Sequence, residues 1–302
     1  MTALLDGIDL HPRDVESALV GLDTVVARLA ARSDSRAVFP DVYGVITRNV
    51  AREVRRGDHG LFLEPAWISR LAGRFAERYL ETLAWSLRGE AQDCAAWDIA
   101  YRAAWAGTTI ALDDAALGIS AHINFDLALG LWQTIEELGD TSPEKLARYK
   151  HDHDAVNTLL AESLPEAVAR LEERYGCTLT PWLRGPAMMP LTREVALLVL
   201  GRWRAQVWED VLALVHAPGE AAQQAVISRM HQRSQYLGRV LSMGSEVRRL
   251  ARTWGFAPAR ATLSRERPAP VLRLAPAPAP KLVPIPVRVR YRARRCSPGR
   301  AP

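Results

Sequence analysis

The chain has 302 residues, 48% of them hydrophobic, and a formal charge of +5 at pH 7, enough for one large domain or two small ones with a true core. Of the 39 basic and 34 acidic residues, eleven basic ones and a single acid, Glu266, fall from Arg260 onward. The part before Arg260 is therefore net acidic, which argues against a broad nucleic-acid-binding surface there.

Cys94, Cys177 and Cys296 are far apart and show no CxxC spacing, so neither a disulfide framework nor a zinc ribbon is indicated. No stretch reaches the roughly 18 uninterrupted apolar residues of a membrane span, and the first residues lack the apolar core of a signal peptide. The expectation is a cytoplasmic protein in a reducing compartment.

Helical periodicity begins with Val15, Leu19, Leu22, Val26 and Leu29 at spacings of three and four. A second helix is predicted from Phe39-Pro40 to Gly57, with proline in its first turn. Trp67, Leu71, Phe75 and Tyr79 line a third, ending near Gly89, and Trp97, Tyr101 and Trp105 a fourth, ending near Gly107. A long apolar segment, Ile110 to Leu138, follows, with Gly118 as a possible point of division. Pro143 to Tyr175, opened by Ser142 and closed by Gly176, reads as the next helix.

The stretch TLTPWLRGPAMMP is predicted as an irregular loop, before two last helices over about Thr192 to His216 and Gly219 to Gly255. No run alternates like a strand. The prediction is an all-α chain, a single orthogonal bundle of about eight to nine helices over residues 1–258. From 259 to 302 the composition turns to Pro, Ala and Arg, which supports disorder. This basic tail gives nucleic acid only weak, salt-sensitive contacts, since no groove-reading motif accompanies it.

No HExxH, GxSxG, GxxxxGK[ST], GxGxxG or DDxxD occurs. What stands out is Gly118-Ile-Ser-Ala-His122-Ile-Asn124-Phe-Asp126-Leu, because ionisable residues sit inside an apolar helical run where burial is costly without partners. His122 and Asp126 are four apart and share a face, so the carboxylate either orients the imidazole or joins it in binding a divalent metal ion. A metal site needs more ligands from a neighbouring helix. The dense candidate is His151-Asp152-His153-Asp154-Ala-Val-Asn157, in which His151 and Asp154, and His153 and Asn157, pair on one face.

Each pattern also has a structural reading. A His bonded to an Asp one turn away is a common core pair, and HDHD is an ordinary solvated face. Arg204 either pairs with a buried acid, Asp126 or Asp154, or stacks on Trp208 one turn on. Cys94 and Cys177 read as packing residues.

The segments FPDVYGVITRNVAREV, WISRLAGRFAERYLETL, GISAHINFDLALGL and HDAVNTLL, in that order, resemble the bacterial family known as domain of unknown function 5995, over roughly Val15 to Trp208. Its glycine followed by Ala-His-Ile-Asn-x-Asp-Leu is matched by Gly118, Ala121, His122, Ile123, Asn124, Asp126 and Leu127. Its Asp-x-x-Asn is matched by Asp154 and Asn157. The resemblance implies a helical fold and one polar centre made of these residues, and it implies no reaction.

The resulting expectation is an enzyme with a buried pocket walled by Trp and Tyr. His122 acts as general base or metal ligand and Asp126 orients it, while Asn124, Asp154, Asn157 and Arg204 bind a small, partly hydrophobic molecule. His122, Asp126 and Asp154 are the expected ligands of any metal. Hydrolysis or elimination suits a chain without a cofactor motif. The alternative is a non-catalytic helical binding or scaffold protein whose His/Asp network fixes helix register.

Overall fold

The computed structural model describes residues 4–107, 109–177 and 189–253, apart from the side chains of 189–192 and 245–253. The basic tail and most of the predicted loop lie outside the described residues. Everything regular among them is helical. In chain order the α-helices are α1 (Val15–Ala30), α2 (Val38–Arg55), α3 (Pro65–Arg88), α4 (Ala95–Ala106), α5 (Ala111–Ala121), α6 (Leu127–Leu138), α7 (Pro143–Glu173), α8 (Met189–Val215) and α9 (Glu220–Thr253). None is long and apolar enough to cross a membrane.

Local sequence accounts for most helix ends. Asp14 caps α1 in a reciprocal box with Ser17. Pro65 sits in the first turn of α3, where its missing N–H costs nothing, and Gly89 stops the helix in the left-handed region at φ 72°. The start of α3 is also capped from a distance. The buried carboxylate of Asp152, on α7, accepts the Leu63 and Glu64 N–H groups at 2.7 Å each.

Helices α5 and α6 form one continuous rod, and the residues that join them, His122–Asp126, make a π turn in which Leu127 N–H reaches back to the His122 carbonyl. Gly118 does not divide the segment. The rod runs through it, and glycine is there because a Cβ would stand 2.5 Å from the Phe39 ring. The absent side chain lets α2 press its aromatic ring against α5. The rod is the centre of the bundle: α5 packs on α2, α4 and α9, and α6 on α3 and α8. A π turn at the middle of such a rod widens the helix locally and shifts which side chains face inward, a device concentrated at functional sites.

Helix α2 is tied to α7 by Asp41, whose buried carboxylate accepts from Arg170 and Arg174 at 2.7 Å each and from the Tyr175 hydroxyl at 2.9 Å. Burial pushes the Asp41 carboxyl up, but these donors outweigh it and hold it below the ordinary range. Met189 and Pro190, at the end of the predicted loop, already belong to α8.

Candidate functional site

Among the helices lies a cavity of about 120 Å³ bounded by α2, α3, the central rod, α7 and α8. Its walls are Ile, Leu, Val and the rings of Phe39, Tyr43 and Phe75, and its polar groups are Thr47, His122, His153 and Arg204. The wall composition corrects one expectation: among the described residues Tyr43 lines the cavity, but no tryptophan does.

His122, on the π turn, is 2% exposed. Its ring lies flat on Phe75, with centroids 3.5 Å apart and planes at 7°, and meets the edge of Tyr43 at 4.8 Å. Its Nδ1 is 2.8 Å from Asp126 Oδ2, and the same oxygen accepts the Trp97 indole N–H at 2.8 Å. Trp97 thus anchors the carboxylate from α4. Asp126 Oδ1 faces Arg78 Nε at 3.5 Å, and Arg78 also faces Asp93 at 3.5 Å. Burial alone would lower the basicity of this largely buried guanidinium, yet Asp126, Asp93 and Glu81 more than reverse that effect.

Two consequences follow for the imidazole. With a carboxylate on Nδ1, that nitrogen carries the hydrogen, and Nε2 is left as a lone pair. Burial then pushes His122 below its ordinary value of 6.5, outweighing the opposing hydrogen bond and charge of Asp126. The ring is neutral at pH 7. Nε2 has no hydrogen-bond partner among the described residues. His122 is part of the cavity wall and Asp126 is not, so the carboxylate backs the ring from outside the cavity.

The opposite polar group is Arg204, on α8 and 5% exposed. Its Nε donates to Asn157 Oδ1 at 2.8 Å, and its Nη2 donates to the His153 carbonyl and lies 3.2 Å from His153 Nδ1. His153 Nε2 in turn meets the Arg204 carbonyl at 3.1 Å. Burial, with the Arg204 charge next in effect, pushes His153 well below 6.5. Burial also brings Arg204 down to about 10, so it stays protonated at neutral pH. Neither the ion pair with Asp126 or Asp154 nor the stack on Trp208 expected for Arg204 is its main contact. The ring that tilts against Trp208 is His153, at 5.5 Å.

Of the residues flagged in the sequence, the structure brings His122 and Arg204 to one cavity, with Asp126 behind the first and Asn157 behind the second. Asn124 is buried beside them, but its Nδ2 donates to the Ser120 carbonyl at 3.0 Å within its own helix. Asp154 is exposed and paired with Lys150, so it does not join His122 and Asp126 as a third ligand. The HDHD run divides in four: His151 and Asp154 face outward, Asp152 caps α3, and His153 reaches the cavity. Among the described residues the group of His, Cys and acids spaced for a metal ion is His11, Glu77 and Glu81, remote in sequence from all of these. Sequence reasoning passed over Phe75 and Trp97, whose helical spacing marked them as core, and it paired His153 with Asn157 on one face without assigning His153 a role in the site.

The model of a family described as Family of unknown function (DUF5995) matches residues 15–243. The chain belongs to that family. The matched region spans α1 to most of α9, so the DUF5995 fold is the whole helical bundle around the central rod. No curated protein and no solved structure matches the chain.

Proposed function

We propose that this DUF5995 protein is an enzyme that encloses a small, largely apolar molecule in the cavity and uses His122 as a general base. The observation that carries the reading is the unpartnered Nε2 of His122, a residue of the cavity wall, backed by a carboxylate on Nδ1. Buried polar atoms in a core that serves structure alone are nearly always satisfied, so a purely structural His/Asp pair would have both nitrogens engaged. Here Nδ1 is engaged by Asp126, itself held by Trp97 and Arg78, and Nε2 is left as an acceptor.

A neutral imidazole with its tautomer fixed by a carboxylate takes a proton from a bound water or from an acidic substrate position. Asp126 positions His122 and stabilises the imidazolium that forms. The apolar walls exclude bulk water, so the proton acceptor works without competition from solvent. Hydrolysis and elimination are the reaction types that this one group serves without help from another cofactor. Metal binding to the cavity receives less support, because Nε2 offers a single ligand atom where a catalytic ion takes about three from the protein.

The test has two readouts on the full chain. Titration with hexanamide should move the 15N resonance of His122 Nε2, because the amide N–H finds that acceptor; a probe that fails to bind, or binds without shifting it, overturns the reading. Hydrolysis of ethyl acetate, an ester small enough for the cavity, should drop at least 100-fold in His122→Gln at unchanged melting cooperativity. Equal turnover in the folded variant removes His122 from the chemistry.

A further inference from the structure

Arg204 is a buried cation without a counter-ion. Each group bonded to its guanidinium is neutral: the Asn157 side-chain oxygen, the His153 carbonyl and the His153 ring. No acid among the described residues forms an ion pair with it, and Asp154, the nearest source of opposite charge, is turned outward to Lys150. Buried charges are otherwise paired in proteins, because neutral dipoles recover only part of the lost hydration. Nη1 has no hydrogen bond to a described residue, so its two N–H groups form the unused edge of the guanidinium. This group forms part of the cavity wall.

The rest of the cavity sets the other requirements. Ile46, Val50, Leu71 and Leu160 are among its walls, and none of them accepts or donates a hydrogen bond. The second charged cluster nearby, Asp126 with Arg78, is balanced within itself. Among the described residues that line the cavity, Arg204 is the one cation, and none of them opens a helix that could receive a dianion. A volume of about 120 Å³ is benzene-sized, which holds a body on the order of six carbons.

We infer that the molecule enclosed in this cavity is a small monocarboxylic acid, with its carboxylate on the unused edge of Arg204 and its apolar body along the aliphatic wall. The inference rests on the reading of the cavity as a substrate site and names the class of substrate. A carboxylate supplies what Arg204 lacks, a full negative charge and an oxygen that accepts from Nη1. Asn157 and His153 hold the fork from behind and fix its plane. They are positioning residues for Arg204, and the Asp-x-x-Asn spacing on α7 serves this purpose through its asparagine alone.

The experiment is calorimetric titration of the full chain at pH 7.5 with two probes of matched shape, hexanoate and hexanamide. The wild type should bind hexanoate at one site and at least tenfold more tightly than hexanamide. Arg204→Gln should bring the two probes to within about threefold of each other, and Arg204→Lys should keep part of the preference, since it keeps the charge and loses the fork. Equal binding of the two probes by the wild type overturns the carboxylate assignment and leaves the cavity reading intact. Binding of neither probe overturns both. An undiminished preference for hexanoate in folded Arg204→Gln assigns the anion to another group and likewise overturns the inference. Should Arg204→Gln not fold, the acid-to-amide ratio of the wild type decides by itself.

Discussion

Trp97 on α4 and His122 on the π turn hydrogen-bond the same oxygen of Asp126, each at 2.8 Å. One carboxylate oxygen therefore sets the position of the base and of the aromatic layer behind it, while the other oxygen faces Arg78. An asparagine at this position cannot serve all three neighbours. If its oxygen accepts from Trp97 and His122, its amide hydrogens face the Arg78 cation. If it turns round, they face two donors. Asp126→Asn should destabilise the fold by about 3 kcal/mol in urea denaturation. The 15N spectrum of His122 should lose the pure Nδ1–H form in favour of a mixture of tautomers. An unaltered tautomer would show that some other group orients the ring.

Gly118 and Phe39 offer a test of the α2–α5 contact. A Cβ at 118 would lie 2.5 Å from the ring, closer than atoms pack, so Phe39 or one of the helices must shift. Gly118→Ala should cost about 1–3 kcal/mol despite alanine's better helix propensity. Phe39→Leu on the same background should recover part of that loss, giving a measurable coupling in a double-mutant cycle. Additive effects would mean that the helices relax without help from the ring.

Much of the bundle was legible because helical periodicity, caps and glycine stops act locally. Ser142, Gly89 and Gly107 do in the structure what their positions announce. The π turn was not legible, since nothing in His122–Asp126 distinguishes a π turn from an α turn, and the choice depends on packing against other helices, α3, α8 and α9 among them. Gly118 was misread for the same reason: its function is a close approach from α2, which lies some eighty positions earlier in the chain. The burial argument found His122, Asp126 and Arg204 because charges inside apolar runs demand partners. It misassigned the partners, because which neighbour supplies them is a tertiary fact. Arg204 meets an asparagine and a histidine of α7, and neither acid proposed for it.

The HDHD run supplies a paired comparison. Asp152 is buried and accepts two N–H groups at the start of α3, whereas Asp154 is exposed on Lys150. Asp152→Ala should cost about 2 kcal/mol through the lost cap, and Asp154→Ala under about 0.5 kcal/mol. Elemental analysis of the same proteins addresses the metal question. Because Asp154 stands apart from His122 and Asp126, any metal content should be the same in wild type and Asp154→Ala. About one equivalent lost in both Asp154→Ala and His122→Ala would contradict this geometry and restore a shared ion.

Acid should weaken the fold through its buried histidines. Burial holds His122 below 6.5 and His153 well below it, so the unfolded chain binds protons at these positions before the folded one does. Where the unfolded state holds more protons, stability rises with pH. The sign is thus a loss of stability as pH falls through 6.5, continuing down to each folded-state value, with no change from these groups above about 7. Each histidine contributes up to about 1.4 kcal/mol per pH unit in that window. Urea midpoints measured between pH 5 and pH 8 should be level at the upper end and fall below 6.5. His122→Gln, which keeps a side chain able to bond Asp126 but removes the titration, should flatten the slope by one proton equivalent. An identical slope in wild type and variant would mean that His122 is already protonated in the folded protein, and with that the lone pair at Nε2 on which the proposed base depends would be gone.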